Sequence, residues 1–304
     1  MIAEVGASTE SDKSLRKSTE ATFLLGMGAQ KAGTSWLYNY IKQQPEADFG
    51  QLKEYHVWDA LNIREFYDVD FRKDRKNLRR DFRDLLMRIM NRPREAYCVR
   101  RQMQLNTKFY FDYFSEILKK DCTFITGDFT PEHGALDVKI LNFIQNEFEN
   151  RGISTKAIFI MRDPVDRCLS AVRMWKKFGK SRQGVDIERS LEDSLLSYVG
   201  TRQAQLLTNY QQTINSLEKA FEPEDIYIGF YETMFQKKEI ERLSYFIGTS
   251  VDYSFSEESF NTTSKGDVLS SEAHRQASLA FTSVYKFCFT RWPNLQNHWT
   301  TCQF

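Results

Sequence analysis

The sequence predicts an α/β chain, with a mostly parallel central sheet flanked by helices. Three observations carry that reading. Apolar runs of strand length recur at 22–27, 122–127, 156–161 and 225–230. Segments with apolar residues at helical spacing separate them. The first run ends in a glycine-bearing turn, Gly26-Met27-Gly28-Ala29-Gln30-Lys31-Ala32-Gly33-Thr34-Ser35, and leads straight into an amphipathic segment. Strands joined by helical crossovers pair in parallel, and ligands in such sheets bind at the carboxyl ends of the strands.

Length and composition set the frame. A chain of 304 residues is long enough for one domain with a substantial core, and no linker or internal repeat divides it. Residues 1–20, rich in Ser, Thr, Lys and Glu, read as a disordered leader without a signal peptide or anchor, and 21–304 as a single domain. No stretch reaches the roughly 18 apolar residues of a membrane helix. A net charge of +1 with 27% charged residues gives no global bias toward nucleic acid or membrane, so any basic site is local. Five scattered cysteines (98, 122, 168, 288, 302) without a CxxC, and four histidines without ligand spacing, point to a reducing cytoplasm and to no metal site.

The turn after the first strand suits an anion. First-turn amides of a helix lack intrahelical acceptors, and the helix dipole adds positive character there. Gly28 and Gly33 allow close backbone approach, Lys31 adds a cation, and Thr34 and Ser35 add hydroxyls. The lysine precedes the last glycine, so this is not the GxxxxGK[ST] loop of ATP-binding proteins. Trp36, Leu37, Tyr40 and Ile41 then mark a helix.

Next comes Gln51-Leu52-Lys53-Glu54-Tyr55-His56-Val57-Trp58-Asp59, which gathers a cation, two carboxylates and an imidazole. Such a set is sufficient for acid–base work on a hydroxyl or amine, and it is equally the composition of a solvated ion pair beside a half-buried histidine. Residues 64–101 are basic, with 13 Arg or Lys against 7 acids, and carry Leu78, Phe82, Leu85, Leu86 and Ile89 at helical spacing. This is a solvated helix face or a cationic rim for an anionic acceptor. A strand then exits into Gly127-Asp128-Phe129-Thr130-Pro131-Glu132-His133. In Met161-Arg162-Asp163-Pro164-Val165-Asp166-Arg167-Cys168-Leu169-Ser170, a strand ends and Pro164 opens a helix, so that Arg162 can clamp a phosphate and Ser170 lies two turns on. Leu206, Tyr210, Ile214, Leu217 and Phe221 form a core-facing helical stripe, and 271–289 a closing helix.

Three of these segments carry a resemblance. Gly28 to Trp36 resembles the 5′-phosphosulfate loop of sulfotransferases that use 3′-phosphoadenosine 5′-phosphosulfate (PAPS). Lys53-Glu54-x-His56-x-Trp58-Asp59 resembles the segment that follows this loop in heparan sulfate-type sulfotransferases, especially the 3-O enzymes, where the glutamate is taken as the base. Arg162 to Ser170 resembles the family's 3′-phosphate motif.

The resemblance implies a P-loop-NTPase-like sulfotransferase fold. It assigns Gly28, Ala29, Gln30, Lys31, Ala32, Gly33, Thr34, Ser35 and Trp36 to the donor's 5′ side, with Trp36 either on the adenine or in the core. Arg162, Ser170, Lys265 and Gly266 fall on the 3′-phosphate side. Lys31, Glu54 and His56 become catalytic, with Lys53 and Asp59 beside the acceptor. The expected reaction moves a sulfuryl group from PAPS to a hydroxyl or amine of a carbohydrate or small molecule, leaving the 3′,5′-bisphosphate (PAP), with no metal, nucleic acid or membrane involved. One departure stands out: Phe129 replaces a lysine that the family often carries before Thr-Pro, so the resemblance does not carry over the family's sulfated glycan as acceptor. The alternatives are a P-loop-type kinase of a small metabolite, which the lysine's position disfavours, and a non-catalytic nucleotide- or polyanion-binding module, which would tolerate loss of Glu54.

Overall fold

A computed structural model describes residues 20–66, 95–179, 181, 184–254 and 269–299. Its elements are β1 (Thr22–Gly26), α1 (Thr34–Lys42), α2 (Trp58–Asn62), α3 (Ala96–Leu105), α4 (Thr107–Leu118), β2 (Ile125–Asp128), α5 (Val138–Glu149), β3 (Ser154–Met161), α6 (Pro164–Lys177), α7 (Leu191–Val199), α8 (Arg202–Thr208), α9 (Tyr210–Ala220), β4 (Ile226–Phe230), α10 (Lys237–Ile247), α11 (Ser271–Leu279) and α12 (Thr282–Arg291). The described strands pair only in parallel, in the order β2-β1-β3-β4. Leu25 stands opposite both Asp128 and Ala157, and Ile160 stands opposite Gly229.

Every residue of β1 is buried, as expected of a strand covered on both faces. Phe23 stacks on Phe148 of α5 at 4.1 Å and meets Phe114 of α4 edge-on at 4.9 Å. Burying one such ring contributes about 1.5–3 kcal/mol. The sheet's pairing also runs past the end of β1. Met27 N–H donates to Ile158 O (2.8 Å), Ala29 N–H to Ile160 O (2.7 Å), and Ile160 N–H to Gly28 O (2.8 Å). The start of the glycine turn is thereby fastened beside the exit of β3, where Arg162 stands.

The structure corrects three details of the elements. The run at 122–127 is strand only from Ile125, and its first residue, Cys122, lies in a turn at φ +62°. The stripe Leu206–Phe221 is divided between α8 and α9 at Asn209, whose side chain accepts from Gln212 N and caps α9. The closing helix is likewise two, broken where Phe281 (1% exposed) turns into the core ahead of α12. Apolar periodicity hides both breaks because each half keeps its own buried residues at helical spacing. Among the described residues, no helix is long and apolar enough to cross a membrane. Residues 1–19 of the expected leader, residues 67–94 of the basic segment, and Lys265 and Gly266 lie outside the described residues.

Candidate active site

The turn between β1 and α1 is shaped by positive φ. Gly28 (φ +88°) lies so close to the next loop that an added Cβ would sit 2.7 Å from Pro131 O. Gly33 (φ +85°) leaves room for Tyr231 and Met234, and a Cβ there would sit 2.7 Å from Met234 Sδ. Lys31 itself adopts φ +67°, a region costly for a side-chain-bearing residue and typical of functional turns. Gly33 caps α1 without a side-chain acceptor, so the first-turn amides of Thr34 and Ser35 keep their donors. The α6 N-terminus differs. Asp163 Oδ1 accepts from Val165 N (2.8 Å) and Asp166 N (3.0 Å), which leaves Arg162 to act there through its side chain.

Three cations from three separate segments meet at this turn. Arg162 Nη1 donates to the carbonyl oxygen of Lys31 at 3.1 Å, and its guanidinium lies over the Tyr231 ring, 4.3 Å from the centroid. Lys53 Nζ donates to Thr34 Oγ1 (3.2 Å), Ser35 Oγ (3.1 Å) and Glu54 Oε1 (2.8 Å). Lys31 Nζ reaches Met174 Sδ at 3.7 Å, one turn along α6 from Ser170 and on the same face. Burial lowers the Lys31 pKa first, and Arg162 and Lys53 lower it further. Cations crowded in this way disfavour one another's charge, and an anion between them relieves the repulsion.

Beside the cations stands a carboxylate–imidazole group. His56 Nδ1 is 2.8 Å from Asp59 Oδ2 and Nε2 is 3.5 Å from Glu54 Oε2, so one ring bridges both acids. Burial pushes the imidazole down, but the bonds to Asp59 and Glu54 outweigh it and bring His56 up to about 10. Burial pushes Glu54 up, yet His56 and Lys53 outweigh it and bring the carboxyl down to about 2. The His56 backbone (φ +50°) is held from two sides. Its N–H donates to Thr130 Oγ1 (3.2 Å), and its carbonyl accepts from Gln104 Nε2 (2.6 Å). Arg100 Nη2 donates to the Glu54 carbonyl at 2.6 Å.

The structure therefore brings Lys31, Thr34, Ser35, Lys53, Glu54, His56, Asp59 and Arg162 together. Trp36 is turned elsewhere: it is 2% exposed, stacked on Tyr40 (5.3 Å, 8°) and set edge-on to Phe235, which places its ring in the core. Phe129 is buried too, against Tyr38 (5.9 Å) and Phe49 (5.5 Å), where an ammonium would be costly. Sequence reasoning did not single out Tyr231, Met174, Arg100, Gln104 or Glu132 for the site. Three of these carried a signal: Arg100 lies in the basic segment 64–101, Tyr231 follows the strand at 225–230 in a Tyr-Glu pair like the family's, and Glu132 follows Pro131 in a loop at a strand's carboxyl end.

A cationic turn at the head of a parallel sheet, with a carboxylate alongside, suits an anionic ligand. The chain belongs to the sulfotransferase domain family, whose model matches residues 22–287. Its fold is that of the sulfotransferase from Alicyclobacillus acidocaldarius, with 15% identity over 93% of this chain and 98% of that one and a TM-score of 0.56. The sulfotransferase domain of the Synechococcus PCC 7002 olefin synthase aligns at 11% identity over 86% and 96% of the two chains, with a TM-score of 0.42. The sulfotransferase domain from the curacin biosynthetic pathway aligns at 14% identity over 86% and 96%, with a TM-score of 0.40. No curated protein matches the chain. The P-loop-like α/β fold expected from the sequence is the one found.

Proposed function

We propose that the protein transfers a sulfuryl group from PAPS to a hydroxyl or amine of a carbohydrate or small-molecule acceptor. The convergence of Lys31, Arg162 and Lys53 on one turn carries this reading, because three mutually repelling cations suit a donor with phosphate at both ends. The donor supplies the sulfuryl group: its bond to the 5′-phosphate oxygen breaks as sulfur bonds the acceptor atom, and the bisphosphate departs. Lys31 and the first-turn amides of α1 neutralise the charge that develops on the leaving phosphate. Glu54 takes the acceptor's proton, and His56 and Asp59 hold its carboxylate in place. Arg162, with Ser170 on the same helix as Met174, holds the 3′-phosphate. Phe129, turned into the core, favours an acceptor that needs no lysine at that position. A cytoplasmic location belongs to the same reading and rests on the scattered cysteine pattern.

Melting curves with PAP and with ATP-Mg²⁺ test the donor side by side. A ligand at 100 times its dissociation constant adds about 2.7 kcal/mol. Stabilisation by PAP, with transfer of labelled sulfate to an acceptor, is the expected result. Stabilisation by ATP-Mg²⁺ alone would replace this reading with the kinase.

A further inference from the structure

We propose that Glu132 is a positioning residue of the sulfuryl-transfer site: its carboxylate fixes the charge and orientation of His56, and through that ring those of Glu54, while joining both to Gln30 of the donor turn. The inference rests on the reading of Glu54 as the base.

Glu132 lies in the 3₁₀ turn Pro131–Ala135 that follows β2. That turn is pinned on two sides. Gly28 packs against Pro131 O, and Thr213 Oγ1 of α9 donates to Gly134 O at 2.7 Å. The side chain is 8% exposed. Its Oε1 accepts from Gln30 Nε2 at 3.4 Å, whereas Oε2 is buried without a hydrogen-bond partner and lies 3.8 Å from His56 Nδ1. A buried carboxylate oxygen is expensive unless a donor or a cation compensates it. Among the described residues, the titratable groups facing Glu132 are His56 and Glu54 from the segment before α2, Asp59 of α2 and Tyr198 of α7. Of these, only His56 is cationic. Burial pushes the Glu132 carboxyl up to about 7, with His56 opposing and Asp59 and Glu54 reinforcing. In its ionised form it is a third negative charge on one imidazole, which holds that ring protonated and aimed at Glu54.

A metal is the rival occupant, since ligand atoms of His56, Asp59 and Glu132 lie within 4.8 Å of one another. The 2.8 Å contact between Nδ1 and Asp59 has the length of a charge-assisted hydrogen bond, and zinc uptake tests the rival directly.

The chain has four histidines, so heteronuclear NMR can follow the His56 ring through a pH titration. Glu132→Gln should lower its midpoint by about one unit or more, the usual effect of removing a neighbouring opposite charge, and Glu132→Asp should restore it. Sulfate release from labelled PAPS, with water as acceptor, should fall roughly tenfold in Glu132→Gln, the lower end of what partners behind a functional group cost, with the KM for PAPS unchanged. The wild type supplies an independent measurement: one glutamate carboxyl resonance should titrate near 7, well below the His56 midpoint. An identical His56 midpoint in wild type and Glu132→Gln would overturn the proposal, as would a Glu132 carboxyl titrating in the ordinary range. So would stoichiometric Zn²⁺ uptake by the wild type that Glu132→Gln abolishes. If the wild type shows no melting shift with PAP, the donor reading falls, and the His56 titration still decides the role of Glu132.

Discussion

Arg162 Nη1 donates to the backbone carbonyl of Lys31 at 3.1 Å, joining residues 131 apart in the chain. The bond locks the exit of β3 to the turn after β1, so the two segments that resemble opposite phosphate grips of one nucleotide share a wall. Tyr231 completes that wall, with its ring under the guanidinium and against Gly33.

Arg162→Lys keeps the charge but loses the planar fork and the stacking on Tyr231. Calorimetric titration with PAP should show binding weakened by about 1.5–3 kcal/mol, the range for hydrogen bonds to charged groups. Unchanged affinity would remove Arg162 from the donor site.

Glu54→Gln should slow labelled sulfate transfer on the order of 10²–10⁴ while the PAP-induced melting shift persists. Lys31→Ala should slow it on the order of 10²–10³. Turnover at the wild-type rate in either variant contradicts the role given to that residue.

The opposite shifts of Glu54 and His56 give a signed pH dependence. His56 is raised from 6.5 to about 10, so its stabilisation is full below 6.5 and fades as pH climbs toward 10. Glu54 is lowered from 4.5 to about 2, so its stabilisation is present above 4.5 and fades toward pH 2, weakened by solvent because the side chain is 34% exposed. Melting temperatures across pH should show the wild-type advantage over His56→Gln shrinking from 6.5 upward, and that over Glu54→Gln shrinking below 4.5. A gap that stays constant with pH would contradict both.

Gly28→Ala adds a Cβ at φ +88° and 2.7 Å from a backbone oxygen that cannot step aside. Strain of this kind costs on the order of 1–3 kcal/mol. Denaturant unfolding should register that loss together with weakened PAP binding, and a variant with wild-type stability would mean that the turn relaxes freely.

Trp36→Phe separates the two roles considered for that ring. As a core residue stacked on Tyr40, it should lose stability and leave PAP affinity within about twofold once the protein is folded, in line with the independence of distant sites. A large loss of affinity in a stable variant would return the indole to the adenine.

What the amino-acid sequence determined by itself is whatever is written locally. Four apolar runs announced the strands, glycine and lysine spacing announced the turn after β1, and three short segments carried the family. Each depends on period or spacing within about ten residues, which is the range over which backbone geometry makes a pattern legible. The breaks at Asn209 and Phe281 escaped because periodicity continues across a cap. Tertiary structure alone decided which groups meet: Arg162 at Lys31, Lys53 at Thr34 and Ser35, Glu132 at His56, and the burial of Trp36 and Phe129. Those meetings follow from the strand order β2-β1-β3-β4, which sets distant loops side by side at the carboxyl end of the sheet. No spacing within a single segment encodes that order, because it is settled by how all the helices and strands share one core.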